Sequence, residues 1–202
     1  MIANEQRTRV PSRRRRYSSL ATTRFTSPKW RTVSLSLSTI ILIAFLNSAR
    51  AAATTIVALG ASSTGGWGVG QQAAYPALIE ARLHARGYDA HVINAGGLLT
   101  STSVMLANLN TTVPNGTSIV LLDTAPLSDR INGLSEAQSK ENINSIISCL
   151  RARNIKTIIV DLPLVSEGFV QLDGIHPSAQ GHEAAATNLL PRVIAAIGRQ
   201  HR

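Results

Sequence analysis

The chain has 202 residues, of which 44% are apolar, 4% aromatic and 15% charged. That suffices for one domain with a core of Ala, Ile, Leu and Val, and it excludes a disordered chain. The formal charge of +9 does not mark a nucleic-acid binder, because residues 1–51 carry ten Lys and Arg against one acid, Glu5, while residues 52–202 carry ten of each sign.

In chain order, the first feature is the uncharged apolar run Val33–Leu46. It is shorter than the about 20 residues a membrane span needs. Basic residues precede it, and Ala49-Arg50-Ala51 follows as a small-x-small cleavage signature. This is the three-part pattern of a secretory signal. Residues 1–51 are therefore expected to be a basic leader and signal peptide. Residues 52–202 are expected to be the domain, secreted or periplasmic. The alternative is an uncleaved anchor, with contact to a membrane only through the leader.

Thr55–Leu59 reads as a buried strand that ends at Gly60. Ala73–Arg86 reads as a helix, apolar at Tyr75, Leu78, Ile79 and Leu83 and closed by Gly87. Ala90–Asn94 is the second strand, Ser101–Leu109 a short helix, and Ser118–Leu122 the third strand. Ser135–Arg153 is a long helix capped by Ser135, with Glu136 in its first turn. Ile155–Val160 is the fourth strand, and Ala179–Ile197 the last helix, with Pro191 expected to kink it. Cys149 is the only cysteine, so no intrachain disulfide can form. Beside Ile146, Ile147 and Leu150, it is expected to be a small buried core residue.

Strands alternating with helices argue for an α/β fold, a parallel sheet covered on both faces. The strands are continuous apolar runs, as strands buried on both faces should be. In such sheets ligands bind beyond the carboxyl ends of the strands. That selects four segments: 60–70, 94–100, 123–133 and 162–176.

The segment Gly60–Gly70 is glycine-rich. It lacks the Gly-Lys-Ser/Thr of a P-loop and the acid that a dinucleotide site places about 20 residues on. Nor is it a G-x-S-x-G elbow, since Thr64 stands at the final glycine. What remains is a turn of small residues that exposes Ser62, either as a turn cap or as a nucleophile. Asp173 and His176 are three apart in a turn that leads into a helix. At that spacing a carboxylate can hydrogen-bond Nδ1 and leave Nε2 free as a base. An ordinary capping or core histidine is the other reading. His182, on the following helix, is expected to pack. A metal site is not expected, because His176 and His182 are six apart with no cysteine or carboxylate cluster to complete a ligand set.

Four stretches resemble the GDSL or SGNH hydrolase family in order along residues 54–198. They are Ala58-Leu-Gly-Ala-Ser-Ser63, Tyr75-Pro-Ala-Leu78, Val92-Ile-Asn-Ala-Gly96 and Asp173-Gly-Ile-His-Pro-x-x-x-Gly-His182. The closest flavour is the small esterase, thioesterase and lysophospholipase-like branch. The resemblance implies a three-layer α/β/α sandwich with a central parallel sheet, flavodoxin-like. It also implies a Ser-His-Asp triad without a cofactor. By position, Ser62 would be the nucleophile, His176 the base and Asp173 its orienter.

Three departures stand out. Ala61 replaces the aspartate of Gly-Asp-Ser-Leu. The family's second-block oxyanion glycine falls at Leu99, whose backbone N–H would serve. The third block, Gly-x-Asn-Asp after the third strand, reads here as Asp123–Arg130, with Ser128-Asp129 set against Asn-Asp. The Ser128 hydroxyl would then replace an amide as oxyanion donor, with Asn132 an open substitute.

The expected function is hydrolysis of small acyl esters or thioesters through an acyl-enzyme on Ser62. The alternatives are a catalytically weak or inactive relative that binds an acyl or carbohydrate ligand, and an exported structural domain without a ligand. Trp67 and Tyr75 either line the pocket or pack against the first helix. The short stretch from Leu162 to Leu172 leads us to expect an open cleft, suited to small soluble esters. If the leader is processed as read, exported protein begins near Ala52, and its intact mass shows this; a mass that retains residues 33–51 would establish the anchor instead.

Overall fold

A computed structural model describes residues 53–162 and 168–198. The expected leader lies outside the described residues. Four parallel strands, β1 (Thr54–Gly60), β2 (Ala90–Gly96), β3 (Thr117–Leu122) and β4 (Lys156–Ile159), form one sheet in the order β2-β1-β3-β4. The register pairs Gly60 with Gly96, Leu59 with Leu122, and Leu122 with Ile159, so the carboxyl ends of the strands lie level.

Among the described residues the helices are α1 (Ser62–Gly65), α2 (Tyr75–His84), α3 (Thr102–Ala107), α4 (Leu109–Thr112), α5 (Pro126–Ile131), α6 (Glu136–Ala152) and α7 (Ala179–Ile197). Successive β1 side chains enter opposite cores. Ile56 and Ala58 meet Tyr75, Ile79 and Leu83 of α2 and Leu189 of α7. Val57 and Leu59 meet Met105, Leu109, Ile146 and Leu150 on the other face. This two-sided burial is why the centres of β1 and β3 read as apolar runs, whereas the outer strands β2 and β4 also carry His91, Asn94 and Lys156, and it makes the three-layer α/β/α sandwich.

Local chemistry sets the helix ends. The first long helix starts at Tyr75 rather than Ala73 because Pro76, which has no N–H, belongs in a first turn. Gln71–Ala73 close instead as a 3-10 turn. The Ser135 hydroxyl accepts the Gln138 N–H while the Gln138 side chain accepts the Ser135 N–H, a capping box worth about 1 kcal/mol. The short helix expected at 101–109 breaks at Asn108, and α5 was read as loop. Helix α7 runs through Pro191. Cys149 corrects the expectation of a buried core residue: it is exposed. Helix α6 buries Ile146 and Leu150, and Cys149, about 100° around the helix from Leu150, falls outside that stripe.

His182 packs, as expected, and carries a consequence for stability. It is fully buried on α7, and its Nδ1 accepts the Tyr75 backbone N–H at 3.2 Å. The neutral ring therefore holds its proton on Nε2, which has no partner among the described residues. Burial pushes the imidazole from 6.5 down to about 4. The unfolded chain takes up a proton near pH 6.5 and the folded one only near 4. The contribution is therefore complete above pH 6.5 and drains as pH falls to about 4, by on the order of 3 kcal/mol. His182→Asn keeps an acceptor for the Tyr75 amide and cannot titrate. Between pH 7 and pH 4 the wild-type thermal midpoint should drop roughly 5–10 °C more than that of the variant. Parallel slopes in the two proteins would contradict this assignment.

Candidate active site

The site lies where β1 and β3 part, with helices leaving to opposite faces of the sheet, the place such folds reserve for ligands. Strand β1 ends at Gly60 and the chain turns sharply into α1, with Ser62 as its first residue. No side chain fits at Gly60: a Cβ there would lie 2.1 Å from Thr64 Oγ1 and 2.6 Å from Asp123 Cβ. The buried Asp123, just past β3, holds the turn from below. Its Oδ2 accepts the Ala61 N–H at 3.4 Å and the Thr64 hydroxyl at 3.0 Å, and its Oδ1 accepts the Ala125 N–H at 2.9 Å. The Thr64 proton is thereby used, so the Tyr75 hydroxyl, 3.1 Å away, donates to Thr64 Oγ1. Burial first, and the Asp123 charge second, push the Tyr75 phenol up and keep it a donor. From the β2 side, Asn94 Nδ2 donates to the Thr64 carbonyl at 3.0 Å. Gly96 lets the two backbones touch, since a Cβ there would lie 2.1 Å from Gly65 N.

The loop after β4 closes on itself before α7. Val170 and Pro177 form an antiparallel bridge, and the Gln171 N–H reaches the His176 carbonyl at 2.8 Å. Within this loop Asp173 Oδ1 accepts the N–H groups of Ile175 (2.9 Å) and His176 (3.0 Å), while Oδ2 takes the His176 Nδ1–H at 2.6 Å. His176 Nε2 then accepts the Ser62 hydroxyl at 2.9 Å. Ser62, His176 and Asp173 thus stand in one hydrogen-bonded row, although Ser62 and His176 are 114 residues apart. The hydrogen bond from His176, joined by those two backbone N–H groups, holds the Asp173 carboxyl at about 2, below its usual 3.8. Asp173 is therefore a carboxylate throughout the range in which His176 could act as a base.

Gln171 went unnoticed in the sequence. Its Nε2 donates to the Trp67 carbonyl at 2.7 Å and to the Pro177 carbonyl at 2.8 Å, which ties the histidine loop to the serine loop. No local pattern marks it, because Trp67 is 104 residues away. Trp67 itself is half exposed, its ring centroid 6.1 Å from that of His176, whereas Tyr75 is buried in the core.

The expected oxyanion donors are the N–H groups of Ser62 and Leu99 and the Ser128 hydroxyl. The Ser62 N–H meets no acceptor among the described residues. Leu99 has φ +52°, a left-handed backbone that a glycine takes freely and that costs another residue roughly 1 kcal/mol. Asn132 Nδ2 donates to the carbonyls of Leu99 (3.1 Å) and Ser128 (2.7 Å), so both of its amide protons are spent on holding the two segments together. Ser128 is buried on α5 and lines the cavity beside Ser62. Its neighbour Asp129 accepts the Thr102 N–H at 2.6 Å and the Thr102 hydroxyl at 2.7 Å. Ala125, third after the end of β3, also lines this cavity. Ala125 has φ +46°, a region that asparagine tolerates better than alanine.

Ser62 separates two depressions. One, about 280 Å³, is lined by Ala125, Leu127, Ser128, Arg130, Leu162 and Ile175 among others; the other, about 380 Å³ and more open, runs between Trp67 and Leu98. Of the large exposed apolar side chains among the described residues, Trp67, Leu98 and Ile175 line these depressions, while Leu99, Val104, Ile131 and Leu172 lie in the segments that follow β2, β3 and β4.

No protein-family model matches the chain. Among curated proteins it is similar to Esterase TesA of Pseudomonas aeruginosa, 26% identical over 115 residues. That match covers 57% of this chain and 57% of the esterase, so it spans a little over half of the relative's length. Among solved structures it is similar to a crystal structure of TesA, with TM-score 0.64 and 21% identity over 71% of this chain and 99% of that one. It is also similar to the psychrotrophic esterase EstA from Pseudoalteromonas sp. (TM-score 0.60, 14% identity, 72% and 100% covered). A third is AlinE4, an SGNH-hydrolase family esterase (TM-score 0.54, 21% identity, 73% and 98% covered). At these identities the structural likenesses show the fold.

Proposed function

We propose that this chain, whose sequence and fold support the GDSL/SGNH hydrolase family, hydrolyses carboxylic esters through an acyl-enzyme on Ser62. The observation that carries this reading is the row from Ser62 Oγ through His176 to Asp173. His176 Nε2 takes the hydroxyl proton as Ser62 Oγ bonds to the substrate carbonyl carbon. Asp173 keeps the Nδ1 tautomer and stabilises the imidazolium. The N–H groups of Ser62 and Leu99 and the Ser128 hydroxyl are the donors proposed for the oxyanion. As the intermediate collapses, His176 returns the proton to the leaving alcohol or thiol. Water, activated by the same imidazole, then releases the acid. The scheme uses no cofactor. The apolar rim suits substrates with an apolar limb, and the basic leader adds export, into the periplasm or out of the cell, to this reading.

Labelling with a fluorophosphonate probe and turnover of p-nitrophenyl acetate test the scheme. Ser62→Ala should remove both labelling and turnover without unfolding the chain, because Ser62 lies on a surface turn. Asp173→Asn should lower kcat by about 10⁴, the effect of the wrong tautomer in such triads. If Ser62→Ala turns over as wild type does, the mechanism is wrong.

Ala125 favours a second reading, a weak catalyst that chiefly binds an acyl or carbohydrate ligand. With alanine after β3, the site lacks an amide donor, and one missing oxyanion donor costs about 10²–10³ in kcat. Ala125→Asn should then raise kcat with little change in KM, since the contact forms mainly in the transition state. Ser128→Ala measured beside it tells whether the hydroxyl already fills the role: a large drop in kcat, with no gain from Ala125→Asn, would show that the oxyanion hole is complete as it stands.

A further inference from the structure

We propose that Arg130 makes the smaller cavity beside Ser62 an anion subsite, so that the preferred ester carries a carboxylate on the limb that enters it. The proposal rests on the ester-hydrolase reading and adds a substrate class to it. Arg130 lines the cavity that Ser62 opens into, and neither depression beside Ser62 has another basic residue among those lining it. Most of the remaining wall is apolar, from Ala125, Pro126, Leu127, Leu162 and Ile175.

Of the other described arginines, all but Arg151 on α6 are engaged. Arg82 pairs with Glu183, Arg192 with Asp161, Arg153 bonds the Val113 carbonyl and Arg86 the Arg82 carbonyl. The Arg130 side chain has no hydrogen-bond or ion-pair partner among the described residues. Neither neighbouring acid is free to serve it. Asp123, in the same cavity, faces the donors of Ala61, Thr64 and Ala125. Asp129, next in the chain, is taken up by Thr102. Those bonds, with Asn132 bridging to Leu99, clamp α5 on both sides of Arg130, so the side chain springs from a fixed backbone. A guanidinium is a fork matched to a carboxylate, and Arg130, exposed at the edge of this cavity, presents that fork to a limb entering between largely apolar walls. The short, walled space admits a compact acidic limb, and the open groove between Trp67 and Leu98 is left for the other half of the ester.

The test compares kcat/KM for mono-p-nitrophenyl adipate with that for uncharged p-nitrophenyl heptanoate, which has a limb of similar length. Wild type should favour adipate. Arg130→Gln should lower the adipate-to-heptanoate ratio by about 10–100-fold, mostly through KM, with Arg130→Lys between the two. High salt should erode the wild-type preference. An unchanged ratio would overturn the proposal. So would an equal fall in kcat on both esters, which would place Arg130 at the oxyanion instead. A readout that needs no turnover is calorimetric titration of Ser62→Ala with monomethyl adipate. Binding that vanishes in Ser62→Ala/Arg130→Gln supports the subsite even if neither ester is hydrolysed, a result that would sink the hydrolase reading alone. Binding that survives the second substitution refutes the subsite.

Discussion

The turn that presents Ser62 depends on Asp123 and Thr64 meeting in the space where Gly60 has no side chain. Burying a carboxylate is costly unless donors surround it. Here three donors do, and two of them, the Ala61 N–H and the Thr64 hydroxyl, flank Ser62 in the chain. The position of the serine is thereby referred to β3 as well as to β1. Strand β2 adds a second constraint through the contact of Gly96 with Gly65, which tolerates no Cβ. Three adjacent strands converge on one turn, and the geometry from Ser62 to His176 follows from where that turn is held.

Much of this was legible in the sequence because the signals were local. Strands β1 and β3 hold contiguous apolar runs and β2 and β4 shorter ones, and the expected bounds of all four lie within two residues of those observed. Asp173 and His176 are three apart, a spacing that offered their pairing beside the reading of an ordinary capping or core histidine. Ser135 announces its helix through a cap. The unread parts depend on partners far along the chain. Asp123 reads as an acid in a loop, and nothing nearby shows that Ala61 and Thr64 will surround it 62 and 59 residues away. Gln171 and Asn132 look like ordinary polar loop residues until the loops are brought together. Cys149 misled for a different reason: its neighbours are apolar, but helix rotation decides which of them face the core. Ala125 was passed over because a left-handed backbone leaves no trace in a residue type that rarely adopts it.

The surface of the domain is uneven in a way that composition hides. Its net charge is zero over residues 52–202, and its large exposed apolar groups gather at one edge of the sheet. Scattered exposed apolar residues need no explanation, but Trp67, Leu98 and Ile175, which line the depressions beside Ser62, mark a place where something apolar is met. The short loop after β4 suggested an open cleft for small soluble esters. Part of that loop lies outside the described residues; among the described ones the edges of the depressions are partly apolar, so an apolar limb would lose water contact on entering. A lone cation among such walls then discriminates by charge rather than by size.

The bonds that assemble the site are mostly of one kind, a side chain reaching another segment's main chain. Gln171 holds the carbonyls of Trp67 and Pro177, Asn132 those of Leu99 and Ser128, Asn94 that of Thr64, and Asp129 the N–H of Thr102. Each of these bonds places a demand on one residue type and none on the side chain of its partner, since every residue offers a carbonyl and all but proline an N–H. Trp67, Leu99 and Ser128 can therefore vary without breaking the ties that position them. A site built this way keeps its shape while most of its lining changes. That accounts for a chain that shares only 14–21% of its residues with esterases of solved structure, yet covers 98–100% of those chains with the same fold. It also locates where divergence can act on chemistry. Loop residues whose side chains face the cleft are free to change the substrate, while the amides and carboxylates behind them are committed to holding Ser62 against His176.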